Sequence, residues 1–134
     1  MIDHIGAVNA VTFGTRADGT LLLASTGDDG TVRLGDPDTG QPIGTPVTAY
    51  RGLRSVVFGT RGDGQLLLAG TDGDGRVWVW DPDTGQAVGR PLTGHIGRVS
   101  AVAFGTRADG SLLLASVASA IHLWILSPTG EIRR

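Results

Sequence analysis

The sequence predicts an all-β chain made of three copies of one four-stranded antiparallel unit. Residues 13–25 and 104–116 are identical at twelve of thirteen positions, and residues 58–70 match the first segment at ten. The phenylalanines that begin these segments are 45 and 46 residues apart. Glycine contributes 22 of the 134 residues, far above the usual ~7%. Repetition at such a period is typical of stacked units, each built from one set of secondary-structure elements.

Each unit contains four short segments with strand character. In the first unit, residues 8–13 are rich in branched and aromatic side chains, and residues 21–24 form a short apolar run. Residues 31–34 alternate between polar and apolar side chains, and residues 43–47 form a weaker fourth strand that contains Pro46. No stretch keeps a helical period over three turns, so we expect antiparallel meanders.

The connections between these strands are rich in turn residues. They read Arg-Ala-Asp-Gly, Asp-Asp-Gly and Asp-Pro-Asp-Thr-Gly. Asp bonds to nearby backbone, Pro fixes φ, and Gly accepts positive φ. The glycine excess is therefore explained by turns. We expect one continuous segment over 1–134, with units at about 1–47, 48–92 and 93–134 and no linker.

Composition excludes several classes of protein. The net charge of −2 does not favour nucleic acid or an anionic membrane. There is no cysteine, so disulfides and thiolate sites are excluded. No apolar run is long enough to span a bilayer, and residues 1–30 do not resemble a signal peptide. All basic residues are Arg, which together with the Gly and Ala usage suits a bacterial protein from a GC-rich genome. The expected location is the cytoplasm.

Two dipeptides stand at informative positions in this pattern. Gly94-His95 precedes a first strand, and Trp80-Asp81 ends a third strand. With the strand blocks 77–80, 99–104 and 112–116, the chain resembles the WD-repeat β-propeller family over essentially its whole length. The resemblance implies that each unit is a propeller blade and that the protein is a non-enzymatic scaffold for protein–protein interactions.

The resemblance also implies a hydrogen-bonded His, Ser, Asp and Trp set within each blade, although no blade has all four. Blade one has Gly35 at the Trp position. Blade two has Tyr50 near the His position and Gly70 at the Ser position, and blade three has a shorter turn without the Asp. The members present are His4, Ser25 and Asp29 in blade one, Asp74 and Trp80 in blade two, and His95, Ser116 and Trp124 in blade three.

Three blades leave one face of the first blade and one face of the third uncovered. Head-to-tail association closes only with whole chains, so six or nine blades are allowed. Propellers usually have ~4–8 blades, which favours a six-bladed homodimer, with a nine-bladed homotrimer next. Residues 129–134 align with 84–89, and residues 1–4 with 92–95. We expect an oligomer joint containing Met1, Ile2, Ile132 and Arg134; the alternative is a part of a longer propeller.

The sequence predicts no catalytic site, cofactor or metal. His4, His95 and His122 are isolated, and repetition of the Asp36/Asp38 pair as Asp81/Asp83 indicates turn geometry. The segment 72–75 resembles only a fragment of a calcium loop. Arg16, Arg61 and Arg107 recur in the turn after the first strand and predict a ring of solvated charge.

The opposite end of the blades carries the loops that differ most between copies, a modest indication of function. These loops contain residue types that are frequent in protein-binding hot spots, and we take them as candidates for binding an unknown protein or peptide. These candidates are Tyr50, Arg51, Arg54, His95 and Arg98. Two other hypotheses remain, a purely structural repeat product without a selected ligand and a small-ligand or hydrolase site in the central channel.

Overall fold

A computed structural model of the chain shows an all-β architecture of three antiparallel sheets. It describes residues 6–48, 53–60, 64–72, 76–88, 101–109, 111–117, 121–126 and 132–133. The strands are β1 (Val8–Thr15), β2 (Leu21–Gly27), β3 (Thr31–Gly35), β4 (Pro42–Thr48), β5 (Leu53–Thr60), β6 (Leu66–Asp72), β7 (Val77–Trp80), β8 (Ala101–Thr106), β9 (Leu112–Val117), β10 (Ile121–Leu126) and β11 (Ile132–Arg133).

The sheets follow the order of the chain. Blade one pairs β1-β2-β3-β4, blade two pairs β5-β6-β7, and blade three pairs β8-β9-β10-β11. In blade two the expected fourth strand is represented by a single bridge from Trp80 to Ala87, and residues 89–100 lie outside the described residues. Most predicted strands are one to three residues longer in the structure, because the ladders continue into the glycines and threonines that border the turns.

Each blade has two chemically different faces. We call the face that carries the Phe of the first strand the leading face, and the opposite face the trailing face. The trailing face of blade one packs against the leading face of blade two. On blade one this core contains Leu22, Ala24, Val32 and Leu34, and on blade two it contains Leu53, Val56, Leu66, Leu68 and Trp80.

A second core repeats this arrangement between blades two and three. Its trailing-face members are Leu67, Ala69, Val77 and Val79, and its leading-face members are Val102, Leu112, Leu114 and Trp124. Blade two is therefore buried on both faces, which explains its near-continuous apolar runs. The three sheets do not close a ring among the residues that the structure describes, so one chain forms an open arc.

A glycine and a phenylalanine meet where the first strands of adjacent blades approach. A Cβ added at Gly14 would lie 2.7 Å from the Phe58 ring, and one added at Gly59 would lie 2.6 Å from the Phe104 ring. Both glycines are buried. The absence of a side chain on one strand thus makes room for the aromatic ring of the next blade.

Candidate interaction surfaces

The turn after the first strand in blade one makes an ion pair with blade two. The Arg16 guanidinium contacts the Asp83 carboxylate, which belongs to the turn after β7. Both side chains are partly exposed, so the ion pair orients the two blades relative to each other more than it stabilises the fold. The equivalent cation of blade three, Arg107, and the equivalent anion of blade one, Asp38, are both exposed.

In each pair of carboxylates, Asp36/Asp38 and Asp81/Asp83, the first residue accepts a hydrogen bond within its own turn. Asp36 accepts a hydrogen bond from the Asp38 backbone N–H, and Asp81 accepts one from the Asp83 N–H, each at 2.9 Å. Gly40 and Gly85 both have a φ of 73°, a backbone conformation that is strained for any residue with a side chain. Among the described residues no group of three His, Asp or Glu side chains is placed to hold a metal ion. The segment 73–75 and the side chain of His122 lie outside the description.

The turns after the first strands of blades one and three share a second carboxylate motif. Asp18 accepts hydrogen bonds from the hydroxyl and backbone N–H of Thr20, at 2.7 and 3.0 Å. Asp109 accepts the same pair from Ser111, at 2.6 and 2.9 Å. The hydroxyl donors, followed by the backbone donors and the neighbouring arginines, lower the pKa of both carboxyls.

The expected hydrogen-bonded sets differ from blade to blade. In blade three the Trp124 indole N–H donates to the buried Ser116 hydroxyl at 3.0 Å. In blade one the Ser25 hydroxyl donates to the Arg33 carbonyl at 3.5 Å, and Asp29 accepts from Thr31 and pairs with Arg33. In blade two Trp80 is buried, and a Cβ at Gly70 would meet the Ser55 carbonyl oxygen at 2.9 Å. His4, Asp74 and His95 lie outside the described residues.

The predicted partner-binding loops are described only at Arg54, which is exposed on β5. The strand register is irregular there, as it is around Asn9 on β1. Asn9 donates to the Leu53 carbonyl of blade two at 2.7 Å and to the Asp28 carboxylate at 2.9 Å. Arg54 therefore directly follows the residue whose carbonyl accepts a hydrogen bond from blade one. Tyr50, Arg51, His95 and Arg98 lie outside the described residues.

The two outer faces of the arc expose the residue types that the inner joints bury. On the leading face of blade one, Val11 and Phe13 are each 61% exposed, whereas Val56 at the equivalent position of blade two is 4% exposed. On the trailing face of blade three, Ile121 is 69% and Leu123 54% exposed, whereas Val77 and Val79 of blade two are buried.

The sequence predicted that such faces exist without identifying their residues. It placed the joint at Met1, Ile2, Ile132 and Arg134. Of these, only the backbone of Ile132 is described, in β11. The sequence did not single out Phe13 and Gly105, which are both exposed, although each belongs to a Phe-Gly dipeptide that occurs once per blade. A Cβ added at Gly105 would meet nothing within 4 Å, unlike at Gly14 and Gly59.

No helix within the described residues is long and apolar enough to cross a bilayer. Residues 1–36, which include β1, β2 and β3, match the family model of the WD domain, G-beta repeat (WD40). The search of curated proteins gave no match. The internal repetition relates part of the matched segment, residues 13–25, to residues 58–70 and 104–116.

Proposed function

Because the chain belongs to the WD-repeat family, we propose that it is a non-enzymatic, cytoplasmic scaffold for protein interactions that is completed by further copies of itself. WD40 repeats generally mediate protein interactions, and their domains are typically non-enzymatic. The observation that supports self-association is the pair of open apolar faces at the ends of the arc. In this proposal the blades span about 1–47, 48–92 and 93–134.

The energetics favour covering both faces. Each face offers several hundred Å², and burying this area on both sides of a joint releases about 10–20 kcal/mol at ~25 cal/mol/Å². Association costs about 4–15 kcal/mol. A closed ring has two or three such joints, so the assembled state is favoured. Six blades in a homodimer fit the usual propeller size, and nine blades in a homotrimer are the second possibility.

Light scattering over a concentration series tests the self-association. We expect a mass of two or three times the 13.8 kDa of one chain, and this mass also decides between six and nine blades. A mass of one chain throughout the micromolar range would contradict the proposal.

The assembled ring has a loop-bearing end that suits a protein or peptide partner. The candidate residues there are Tyr50, Arg51, Arg54, His95 and Arg98. The exposure of Arg54 supports this choice, since Arg and Tyr are frequent in binding hot spots. Neither nucleic acid nor membrane is proposed as a partner.

Paired substitution tests this surface. Tyr50→Ala with Arg54→Ala should weaken capture of a partner at least tenfold while the mass of the assembly is unchanged. Thr60→Ala, an exposed change at the opposite end of the strand that carries Arg54, is the matched control. Equal capture by both variants would exclude this end as the binding surface.

A further inference from the structure

We infer that a second copy of this chain docks head-to-tail, with Phe13 of one copy seated on Gly105 of the next and with Arg107 paired to Asp38 across the joint. The inference rests on the self-association proposed above and specifies the surface, the orientation and the register. Its template is the pair of joints inside the chain: both place a phenylalanine ring against a glycine, and the joint of blades one and two adds an ion pair.

Both inner joints place a phenylalanine ring of one blade directly against a glycine of the preceding blade. Phe58 of blade two contacts the site of Gly14, and Phe104 of blade three contacts the site of Gly59. Blade three presents Gly105 at the same position, where it is exposed and has no neighbour within 4 Å of an added Cβ. Blade one presents Phe13, 61% exposed, as the unmatched ring. One chain therefore has an uncovered glycine, Gly105, at one end of the arc and an exposed ring, Phe13, at the other end.

The apolar surroundings of this contact are also complementary. The inner joints place branched residues of the third strand on the trailing face, and Ile121 and Leu123 occupy those positions in blade three. The leading face of blade one offers Val11 and Leu21 beside Phe13. A leading face thus fits a trailing face, whereas two leading faces would place two rings against each other with no glycine to receive them.

The joint of blades one and two also contains an ion pair. Arg16 of blade one contacts Asp83 of blade two. At the proposed joint the equivalent residues are Arg107 of one copy and Asp38 of the next, and both are exposed in the single chain. Charge complementarity of this kind sets register and partner choice more than affinity. The opposite orientation would bring no such pair together.

A single methyl group provides the sharpest test. Gly105→Ala is accommodated in the isolated chain, because nothing lies near the added carbon. Its unfolding midpoint should therefore not fall when wild type and variant are compared at a concentration at which both are monomeric. At the joint the methyl group meets the Phe13 ring of the neighbour, so the dissociation constant of the assembly should rise at least tenfold. Gly14→Ala is the matched control, since its methyl group meets Phe58 within the same chain and lowers folding stability.

Mixing two blocked variants tests the orientation. Phe13→Asp blocks the leading end and Gly105→Val blocks the trailing end, so each alone should give the mass of one chain. A head-to-tail joint predicts that an equimolar mixture forms a species of two chains. If Gly105→Val alone still dimerised, the joint would pair two leading faces and the inference would be wrong.

Charge reversal tests the register. Arg107→Asp and Asp38→Arg should each weaken assembly several-fold, and the double variant should restore it. Assembly of the wild type that is unaffected by Gly105→Ala and by both charge changes would overturn this joint while leaving self-association in place. A wild type that stays a monomer would overturn both.

Discussion

Thr26 is a buried hydroxyl without a partner among the described residues, and replacing it should stabilise the protein. Its Oγ1 has no hydrogen bond, and the residue is fully buried. In blade two the equivalent Thr71 is bonded to the Ser55 hydroxyl at 3.0 Å. The register pairs Thr26 with Ala10, which has no hydroxyl to offer. In blade three the equivalent pair is Ala101 and Val117, in which both residues are apolar.

The expected magnitudes follow from this comparison. An unsatisfied buried hydroxyl costs about 1–3 kcal/mol, so Thr26→Val should raise the free energy of unfolding by about 1 kcal/mol. Ala10→Ser should stabilise by about 0.5–1.5 kcal/mol, because it supplies the missing hydrogen bond. Thr71→Val should destabilise by about 1 kcal/mol, since it breaks an existing bond and leaves Ser55 unpaired.

Urea unfolding at one fixed protein concentration measures all three changes. The concentration must be equal because association adds to apparent stability, and the slopes should not change. The decisive comparison is the sign: Thr26→Val and Thr71→Val remove the same atom from equivalent strands. If Thr26→Val destabilised the protein as much as Thr71→Val, the assignment of an unpaired hydroxyl to blade one would be wrong.

Three further predictions concern the turns, the buried hydrogen bond of blade three and the equivalent position of blade two. Because the pKa values of Asp18 and Asp109 are lowered in the folded chain, the stabilisation they give is present above the ordinary value of about 3.9 and is lost as pH falls through the folded value. Carboxyl NMR titrations should show both below that value, and Asp18→Asn with Asp109→Asn should flatten the acid limb of stability against pH. Ser116→Ala should cost about 1–2 kcal/mol in urea unfolding, because the Trp124 indole loses its acceptor. Gly70→Ser should also destabilise, instead of creating the same bond in blade two, since its Cβ would meet the Ser55 carbonyl at 2.9 Å. Gain of stability on Gly70→Ser would show that the backbone there moves aside.

Local chemistry explains which parts of the fold were predictable. The Asp, Pro and Gly positions of the turns act within a few residues, so the hairpins could be placed from the sequence. The alternation of faces could not, because the second strands contain three consecutive leucines. Leu21 is exposed while Leu22 is fully buried, and nothing in three identical residues distinguishes them. The neighbouring blade decides this, because Leu22 belongs to the core between blades one and two and Leu21 does not.

The contacts between blades were the hardest to predict, since they join distant positions. Arg16 and Asp83 are 67 residues apart, and the sequence indicated each only as a turn residue. The contact of the Phe58 ring with Gly14 was equally hard to predict, because a glycine that follows a strand phenylalanine can also be assigned to a turn or a bulge. The internal repeat offers a route to such contacts: a pair that joins blades one and two specifies the pair that a following copy would make.

Gly35 makes the open leading face of blade one weaker than its inner counterparts. The equivalent residues of blades two and three are Trp80 and Trp124, which are buried against the preceding blade. An indole buries about 150–250 Å², which corresponds to about 4–6 kcal/mol at ~25 cal/mol/Å². The joint between chains lacks this contribution, so we expect it to be weaker than the two joints inside each chain. Dilution should therefore dissociate the assembly into folded single chains.

Gly35→Trp should therefore tighten the assembly. Gly35 is buried in the single chain, but it is not among the positive-φ glycines, so its φ permits a side chain, and its register opposite Leu23 places that side chain on the leading face. We expect the dissociation constant to fall at least tenfold, or about 1.4 kcal/mol, in sedimentation equilibrium. Gly35→Ala is the control, because it restricts the backbone equally without adding the indole. An equal gain in both variants, or none in Gly35→Trp, would exclude the leading face of blade one from the joint.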